Sequence, residues 1–398
     1  MQIPLAAPDI TEKGRAAVLD VLKTNTLSFG PRLTEFEEVA AAFAGRSFGV
    51  AVNSGTSALH LIVRALGIGH GDRVITTPFS FIASANCILF ERAEPVFVDI
   101  DERDLNLRPD LVEEALKKDR HRKIKAILAV DIFGYPAAWD ELSRIAEKYG
   151  VALIEDSSEA LGSAYRSPEH IAHPLWRFYK RTGSFGDAGV FAFYPNKQIT
   201  TGEGGMILTD NRKIYDLCRS MRNQGRTDEG GWLGHVRLGY NYRISDINCA
   251  LGISQLSRID EILKKRETVA LKYTDRLRGC NDLLVPYQAP HVKIGWFVYV
   301  VRLQRTFTRR QRDTIMTILK EKGIETGNYF PPIHLQPFYR TAFGYKRGNF
   351  PVTERVADRT IALPFHNNLQ DHEIDYVVEH LLEAIAAVRD KQRETSLR

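Results

Sequence analysis

Between Pro31 and Tyr194, short apolar runs of strand length alternate with longer stretches whose apolar residues recur at helical spacing. The runs are Phe48–Val52, Asp72–Thr76, Pro95–Asp99, Ile124–Val130 and Val151–Glu155, several of them rich in β-branched residues. The helical spacing falls at Phe36–Phe43, Ser57–Leu66, Ala83–Phe90 and Asp140–Tyr149. Runs that are apolar on both faces belong to strands covered on both sides. The pattern therefore predicts an α/β fold with an open, mostly parallel sheet sandwiched by helices. Such sheets bind ligands beyond the carboxyl ends of their strands, so function is sought there.

Downstream the pattern changes. Ser245–Leu277 reads as one long bridging helix, with apolar residues at Ile247, Leu251, Ile262 and Leu263. A strand at Phe297–Leu303 and helices at Thr308–Lys322 and Asp371–Arg389 predict a smaller α+β unit. A chain of 398 residues accommodates two domains. The expected division is a large domain with an N-terminal arm over 1–245, then the bridging helix and small C-terminal domain over 246–398. The polar end, Lys391–Arg398, is expected to fray.

Charge and cysteine usage narrow the function. A net charge of +5 is small for this length, and the Lys and Arg residues are dispersed, so neither a nucleic-acid nor a membrane footprint is expected. A mildly basic surface still suits a small anion such as a nucleotide diphosphate. No apolar run is long enough to cross a bilayer, and Met1–Leu5 lacks a basic segment followed by an apolar one, so a cytoplasmic location is expected. Cys87, Cys218, Cys249 and Cys280 have neither CxxC spacing nor histidines at ligand intervals. Reduced, buried thiols and no metal site are expected.

Three separated pieces carry chemistry. Asn53-Ser54-Gly55-Thr56-Ser57-Ala58 lies between a strand and a helix, where small residues and open amides suit a phosphate. A plain helix cap is the alternative. Asp156 closes a buried strand and stands over the ligand crevice, or else caps the following turn. Lys197 leaves the strand-like Phe191–Tyr194 and enters the glycine-rich Thr200-Thr201-Gly202-Glu203-Gly204-Gly205. Partial desolvation there lowers a lysine's pKa toward nucleophilic competence, whereas most lysines are solvated surface groups.

Together and in order, these pieces resemble the DegT/StrS family of nucleotide-sugar aminotransferases, within the fold-type I pyridoxal-phosphate (PLP) enzymes. The resemblance runs through Gly30-Pro31, Phe36-Glu37, Asn53–Thr56, Pro78–Phe81, Pro95–Asp99 and Glu155–Ala160. It continues through Asn196-Lys197, Gly202–Gly205, Tyr240–Arg243 and Pro332–His334, and so covers nearly the whole chain. It implies a ping-pong transfer of an amino group, from glutamate, to the keto carbon of a nucleotide-linked sugar. Thr200–Gly205 resembles members acting at a 4-keto carbon more than those acting at a 3-keto carbon.

By the same resemblance Lys197 holds PLP covalently and Asp156 pairs with its pyridinium nitrogen. Phe81 stacks on the ring, and Thr56 and Ser57 offer amides to the phosphate. Asn241 reaches the phosphate from the other subunit, which implies a homodimer with shared active sites. His334 and Arg243 are implied substrate contacts, Arg243 from the neighbouring subunit, with a satisfied structural histidine the alternative for His334. A dehydratase of the same fold replaces the lysine, typically with His, and Lys197 speaks against that alternative. A non-catalytic regulatory relative would not need the intact lysine, aspartate and phosphate loop.

Two positions depart from the family pattern. Ala192 stands where Ser is usual, so one phosphate hydrogen bond is absent or comes from another group. Glu159 stands where Gln or His is frequent, near the expected phenolic oxygen. A carboxylate there must be protonated or hydrogen-bonded through a neighbour. Gly67-Ile68-Gly69-His70-Gly71 follows a helix rather than a strand and reads as a helix-ending turn. Arg166–Arg181 is longer than the family usually carries. Its Arg166, His170, His173, Trp176, Arg177, Phe178, Tyr179 and Lys180 suit either a nucleotide grip or a surface loop.

Overall fold

The structure, a computed structural model, describes residues 1–168, 178–227 and 234–396. Helices α1 (Glu12–Leu22) and α2 (Pro31–Ala44) lead into β1 (Phe48–Val52) and α3 (Gly55–Ala65). Then come β2 (Arg73–Thr76), α4 (Ala83–Phe90), β3 (Glu94–Phe97), α5 (Pro109–Lys118), β4 (Ile124–Val130), α6 (Trp139–Tyr149) and β5 (Ala152–Asp156). Two short strands, β6 (Ala164–Tyr165) and β7 (Lys180–Arg181), precede β8 (Ala188–Ala192), β9 (Gly205–Thr209) and α7 (Arg212–Arg222).

The main sheet has seven strands in the order β1-β9-β8-β5-β4-β2-β3. Only β9 runs against its neighbours, β1 and β8. It follows β8 through a turn rather than a crossover helix, and a direct return of that kind produces antiparallel pairing. Both faces are buried. Val74, Leu128 and Ile154 pack with Leu59 and Ile62 of α3, while the alternate residues Ile75, Ile127 and Leu153 pack with Trp139 and Leu142 of α6. This is the helix-covered, mostly parallel sheet that the continuous apolar runs imply.

The expected single helix over 245–277 is two helices, α8 (Asp246–Leu256) and α9 (Ile259–Leu277). The Ser257 hydroxyl donates back to the Ser254 carbonyl at 2.9 Å, and Arg258 leaves helical geometry at φ −120°. The Arg258 guanidinium then reaches Asp9 at 3.2 Å, tying the break to the N-terminal segment. Apolar spacing continues across the break, which is why periodicity alone passes over it.

Beyond α9 lie β10 (Leu283–Leu284), β11 (Val292–Lys293), β12 (Tyr299–Leu303), α10 (Arg309–Glu321), α11 (Pro337–Phe343), α12 (Pro351–Ala357), β13 (Thr360–Leu363) and α13 (Asp371–Ser396). β10, β12 and β13 form an antiparallel sheet whose core includes Tyr299, Ile315, Ile361 and Leu381, and Ile3 from the N-terminus inserts into it. α10 opens with a capping box between Thr308 and Gln311. α13 continues to Ser396, past the point where polar composition suggests fraying. Cys87, Cys218 and Cys249 are buried free thiols, and Cys280 is only half-buried. Among the described residues no helix is long and apolar enough to cross a membrane.

Candidate active site

The carboxyl ends of the strands converge on one cavity of about 450 Å³. Its walls include Gly55 and Thr56 after β1, Phe81 between β2 and α4, Asp156 at the end of β5, and Lys197 in the turn after β8. Glu159 joins them, and Phe297, Tyr329 and Phe330 close the cavity from the C-terminal part of the chain. Four of the sequence-predicted residues around Lys197 (Thr56, Phe81, Asp156 and Glu159) are thus brought together with it.

Lys197 is buried. Its Nζ lies 3.6 Å from Glu159 Oε1 and 3.9 Å from the centre of the Phe297 ring. Burial pushes its pKa down, and the Glu159 and Asp156 carboxylates push back. Asp156 accepts the Ser158 amide at 3.1 Å. Burial raises its pKa, opposed by Ser158 and by Lys197. Glu159 Oε2 accepts the Phe133 amide at 2.9 Å, and burial raises its pKa against the nearby Lys197 charge. The departure from Gln or His therefore places a buried carboxyl, held by one backbone amide, beside the lysine.

At the phosphate side, Ser54 caps α3 by accepting the Ser57 amide at 3.1 Å. The amides of Gly55 and Thr56, first in the helix, have no carbonyl one turn back to bond. Ser57 is buried, is off the cavity wall, and gives its hydroxyl to Asn53 Oδ1 at 2.7 Å. Gly55 is required by close packing, because a Cβ there would lie 2.8 Å from the Ala192 Cβ. Ala192 itself lines the cavity.

Behind Asp156 lies a buried proton. Ser157 Oγ is 2.6 Å from both Asp131 Oδ2 and Glu155 Oε1, yet the hydroxyl has one proton to give. Asp131 Oδ1 already accepts the Ala137 amide at 2.8 Å and the Trp139 indole N–H at 2.9 Å. Glu155 also accepts the amides of Gly183 (2.6 Å) and Phe185 (2.7 Å). The consistent pattern has protonated Asp131 donating to Ser157, which donates to ionised Glu155. Burial and the Glu155 charge both push the Asp131 pKa well up.

Asn at 131 can make the same donation. Asp131→Asn is expected to change stability by less than about 1 kcal/mol, whereas Asp131→Ala, which orphans Ser157 and the indole, is expected to cost about 3 kcal/mol by denaturant titration. A group whose pKa is raised on folding stabilises fully below its unfolded pKa, and that contribution is lost as pH rises through the folded value. Wild-type stability should therefore fall from above the ordinary carboxyl range upward, more steeply than that of Asp131→Asn. Parallel pH curves for the two proteins would exclude the buried proton.

Besides Ser57, three predicted residues lie off the cavity wall: Asn241, Arg243 and His334. Asn241 is exposed; its sequence neighbours Tyr240 and Tyr242 stack on each other at 4.9 Å. Buried His60 holds that segment through Tyr242 at 3.0 Å, and the Tyr242 carbonyl accepts the Asn53 amide at 3.0 Å. Arg243 is half-buried with Nη1 3.3 Å from Asn223 Oδ1. His334 is fully buried, its Nε2 3.0 Å from Glu354 and its Nδ1 without a partner. Of the 166–181 stretch, His170, His173, Trp176 and Arg177 lie outside the described residues. Arg166 stands 5.0 Å from the Tyr179 ring centre.

Sequence reasoning did not single out Ser158, Phe297, Tyr329 or Phe330. The adjacent aromatic pair before Pro331-Pro332 is the one local signal that marks the last two. Asn196 Oδ1 is buried at the same cavity without a hydrogen-bond partner. Phe81, 60% exposed, is a large apolar ring left open on its rim. A buried lysine, a buried carboxyl, an open helix terminus and an uncovered aromatic ring fit a planar anionic cofactor.

A model of the DegT/DnrJ/EryC1/StrS aminotransferase family matches residues 8–382. The chain is 34% identical to GDP-perosamine synthase of Caulobacter vibrioides, over 96% of this chain and 97% of that protein. It is also 34% identical to the spore coat polysaccharide biosynthesis protein SpsC of Bacillus subtilis, over 98% and 96%. Among solved structures it superposes on PseC of Helicobacter pylori, an aminotransferase of pseudoaminic acid biosynthesis, with a TM-score of 0.88 and 28% identity, covering 97% of this chain and 100% of that one.

Proposed function

Since the chain belongs to the DegT/DnrJ/EryC1/StrS aminotransferase family, we propose that it transfers an amino group from glutamate to the keto carbon of a nucleotide-linked sugar, a 4-keto carbon in preference to a 3-keto carbon. The enzyme is PLP-dependent. The observation that carries the proposal is the burial of Lys197 and Asp156 in one cavity, beside the open amides of α3.

In this reading Lys197 Nζ holds the cofactor, with Asp156 at the ring nitrogen, Phe81 against the ring face, and the amides of Gly55 and Thr56 at the phosphate. When bound, PLP supplies an electron-withdrawing ring that takes up the charge developed on deprotonation of the carbon beside the transferred nitrogen. Lys197 Nζ, its pKa lowered by burial, accepts that proton and returns it to the other carbon. The Asp156 carboxylate keeps a proton on the ring nitrogen. Glu159, held by the Phe133 amide, donates a hydrogen bond when protonated. Ser158, next to Gly55, is placed to supply the hydroxyl that Ala192 lacks. Phe297, Tyr329 and Phe330 exclude water.

The reading takes the protein as a homodimer in which Asn241 and Arg243 serve the partner's cavity; the exposure of Asn241, and the absence of both from this chain's own cavity wall, support that assignment. It keeps the division at residue 245, supported by the separate core around Tyr299 and Ile361. Incubation with glutamate and a panel of nucleotide-linked 4-keto and 3-keto sugars, followed by mass spectrometry, tests it. A product carrying an amine in place of the ketone, formed faster from 4-keto sugars, is expected. Faster turnover of 3-keto sugars would remove the positional preference, and loss of oxygen without gain of nitrogen would indicate a dehydratase.

A further inference from the structure

A second cavity, of about 360 Å³, lies between the 100–106 and 132–135 loops and the segments flanking β11 and β12. Its walls are mostly apolar and include Tyr135, Tyr287 and Trp296. Asp104 also lines it, with one carboxylate oxygen accepting the Asn106 amide at 2.9 Å. Burial pushes the Asp104 carboxyl up to about 6, so at neutral pH it is an acceptor in a mostly apolar slot.

An arginine-rich hollow adjoins this slot, sharing Arg103, Leu284 and Arg302 as common walls. Its lining brings Arg103, Arg302, Arg305, Arg359 and Arg389 together against two carboxylates, Glu102 and Asp282. Glu102 is shared by Arg305 and Arg359, and Asp282 takes Arg389 at 2.6 Å. Among the described residues Arg302 has no carboxylate of its own. Its Nη1 donates to the Glu102 carbonyl, and its Nε is buried without a hydrogen-bond partner. Excess guanidinium charge around a hollow matches a phosphate chain, and adjoining aromatic walls match a planar base.

We propose that this composite cleft is a second ligand site, distinct from the catalytic cavity, for a nucleoside diphosphate: the base lies in the slot formed by Tyr135, Tyr287 and Trp296, and the phosphates lie on Arg302, Arg305 and Arg389. The Asp104 carboxylate accepts from N–H groups on the base edge. Phe133 links the slot to the catalytic cavity. It lines the slot, stacks on Phe330 of the catalytic wall at 5.6 Å, and holds Glu159 through its amide. An occupant of the slot therefore bears on the residue that anchors Glu159.

Calorimetric titration of the PLP-loaded enzyme with UDP, GDP and dTDP tests the proposal, with inorganic pyrophosphate and UDP-glucose as further arms. At least one nucleotide is expected to show a site whose Kd rises tenfold or more in Arg305→Ala/Arg389→Ala and, separately, in Tyr287→Ala. These side chains are partly exposed, and the variants should keep kcat within twofold. Pyrophosphate is expected to bind more weakly than the nucleotide and to ignore Tyr287→Ala. Retention of the variant-sensitive site by UDP-glucose identifies a sugar nucleotide's handle as the source, and its loss identifies free nucleotide. If every detected site is indifferent to both variants, or if no nucleotide binds, the proposal falls. A variant-sensitive site in an enzyme that fails to aminate any keto sugar would retain this inference and refute the substrate assignment above.

Discussion

Lys197→Ala is expected to abolish amino transfer, lowering kcat by at least the roughly 10²–10⁴-fold attributable to a positioned acid–base group. The residue has two duties in the proposed mechanism, holding the cofactor and carrying the proton, and among the described residues no other lysine lines the cavity. Lys197→Arg separates charge from proton transfer. A guanidinium keeps the positive charge beside Glu159 but stays protonated at any working pH. If it recovers no activity, the neutral amine is the active form, as burial of Nζ against the Phe297 ring implies. Activity in Lys197→Arg near the wild-type level would mean that the lysine acts as a fixed charge only. Circular dichroism guards against misfolding, since Glu159 loses its main compensating charge in the alanine variant.

Asp156→Asn is expected to lower kcat by about 10²–10³-fold, the range for removing one preorganised electrostatic partner of developing charge. Asparagine keeps the shape and can still accept the Ser158 amide, but it cannot supply the negative charge that keeps a ring nitrogen protonated. In the proposed mechanism the carboxyl serves the ring nitrogen rather than the sugar, so KM for the keto sugar should move less than threefold. A large KM change with kcat preserved would assign Asp156 to substrate binding. Single-turnover absorbance measurements with glutamate alone isolate the first half of the reaction and should show the same loss.

The parts of the site that were legible in the sequence sit at ends of strands. Asp156, Thr56 and Lys197 each follow directly from a short apolar run, so the rule that strands end at the ligand crevice places them without knowledge of long-range packing. Phe297, Tyr329 and Phe330 reach the same cavity from more distant sequence and carry no periodic signal there. Aromatic residues read alike whether they fill a core or line a site. The break at Ser257 was hidden for a related reason: the apolar stripe continues through it, and only the hydroxyl's bond to Ser254 and the pull of Asp9 on Arg258 end the helix. The proton held among Asp131, Ser157 and Glu155 was equally out of reach, because it follows from two 2.6 Å distances between strands β4 and β5 and their following loops.

The glutamate at 159 illustrates a residue visible in sequence but chemically undefined until placed. Its position relative to the family pattern flagged it. Its burial, the Phe133 amide and the 3.6 Å approach of Lys197 define what it does: it shares the lysine's charge and is tied to the wall between the two cavities. Tyr240 and Tyr242 similarly explain why Asn241 stands clear of its own chain, with the flanking rings anchored to His60 and Glu91.

The covalent role of Lys197 is tested most directly by reducing the purified protein with borohydride in the presence of PLP and mapping the cofactor by peptide mass spectrometry. The account predicts a single major modification, on the peptide containing Lys197, absent from Lys197→Ala. A modification spread over surface lysines, or equally strong labelling of the alanine variant, would contradict it.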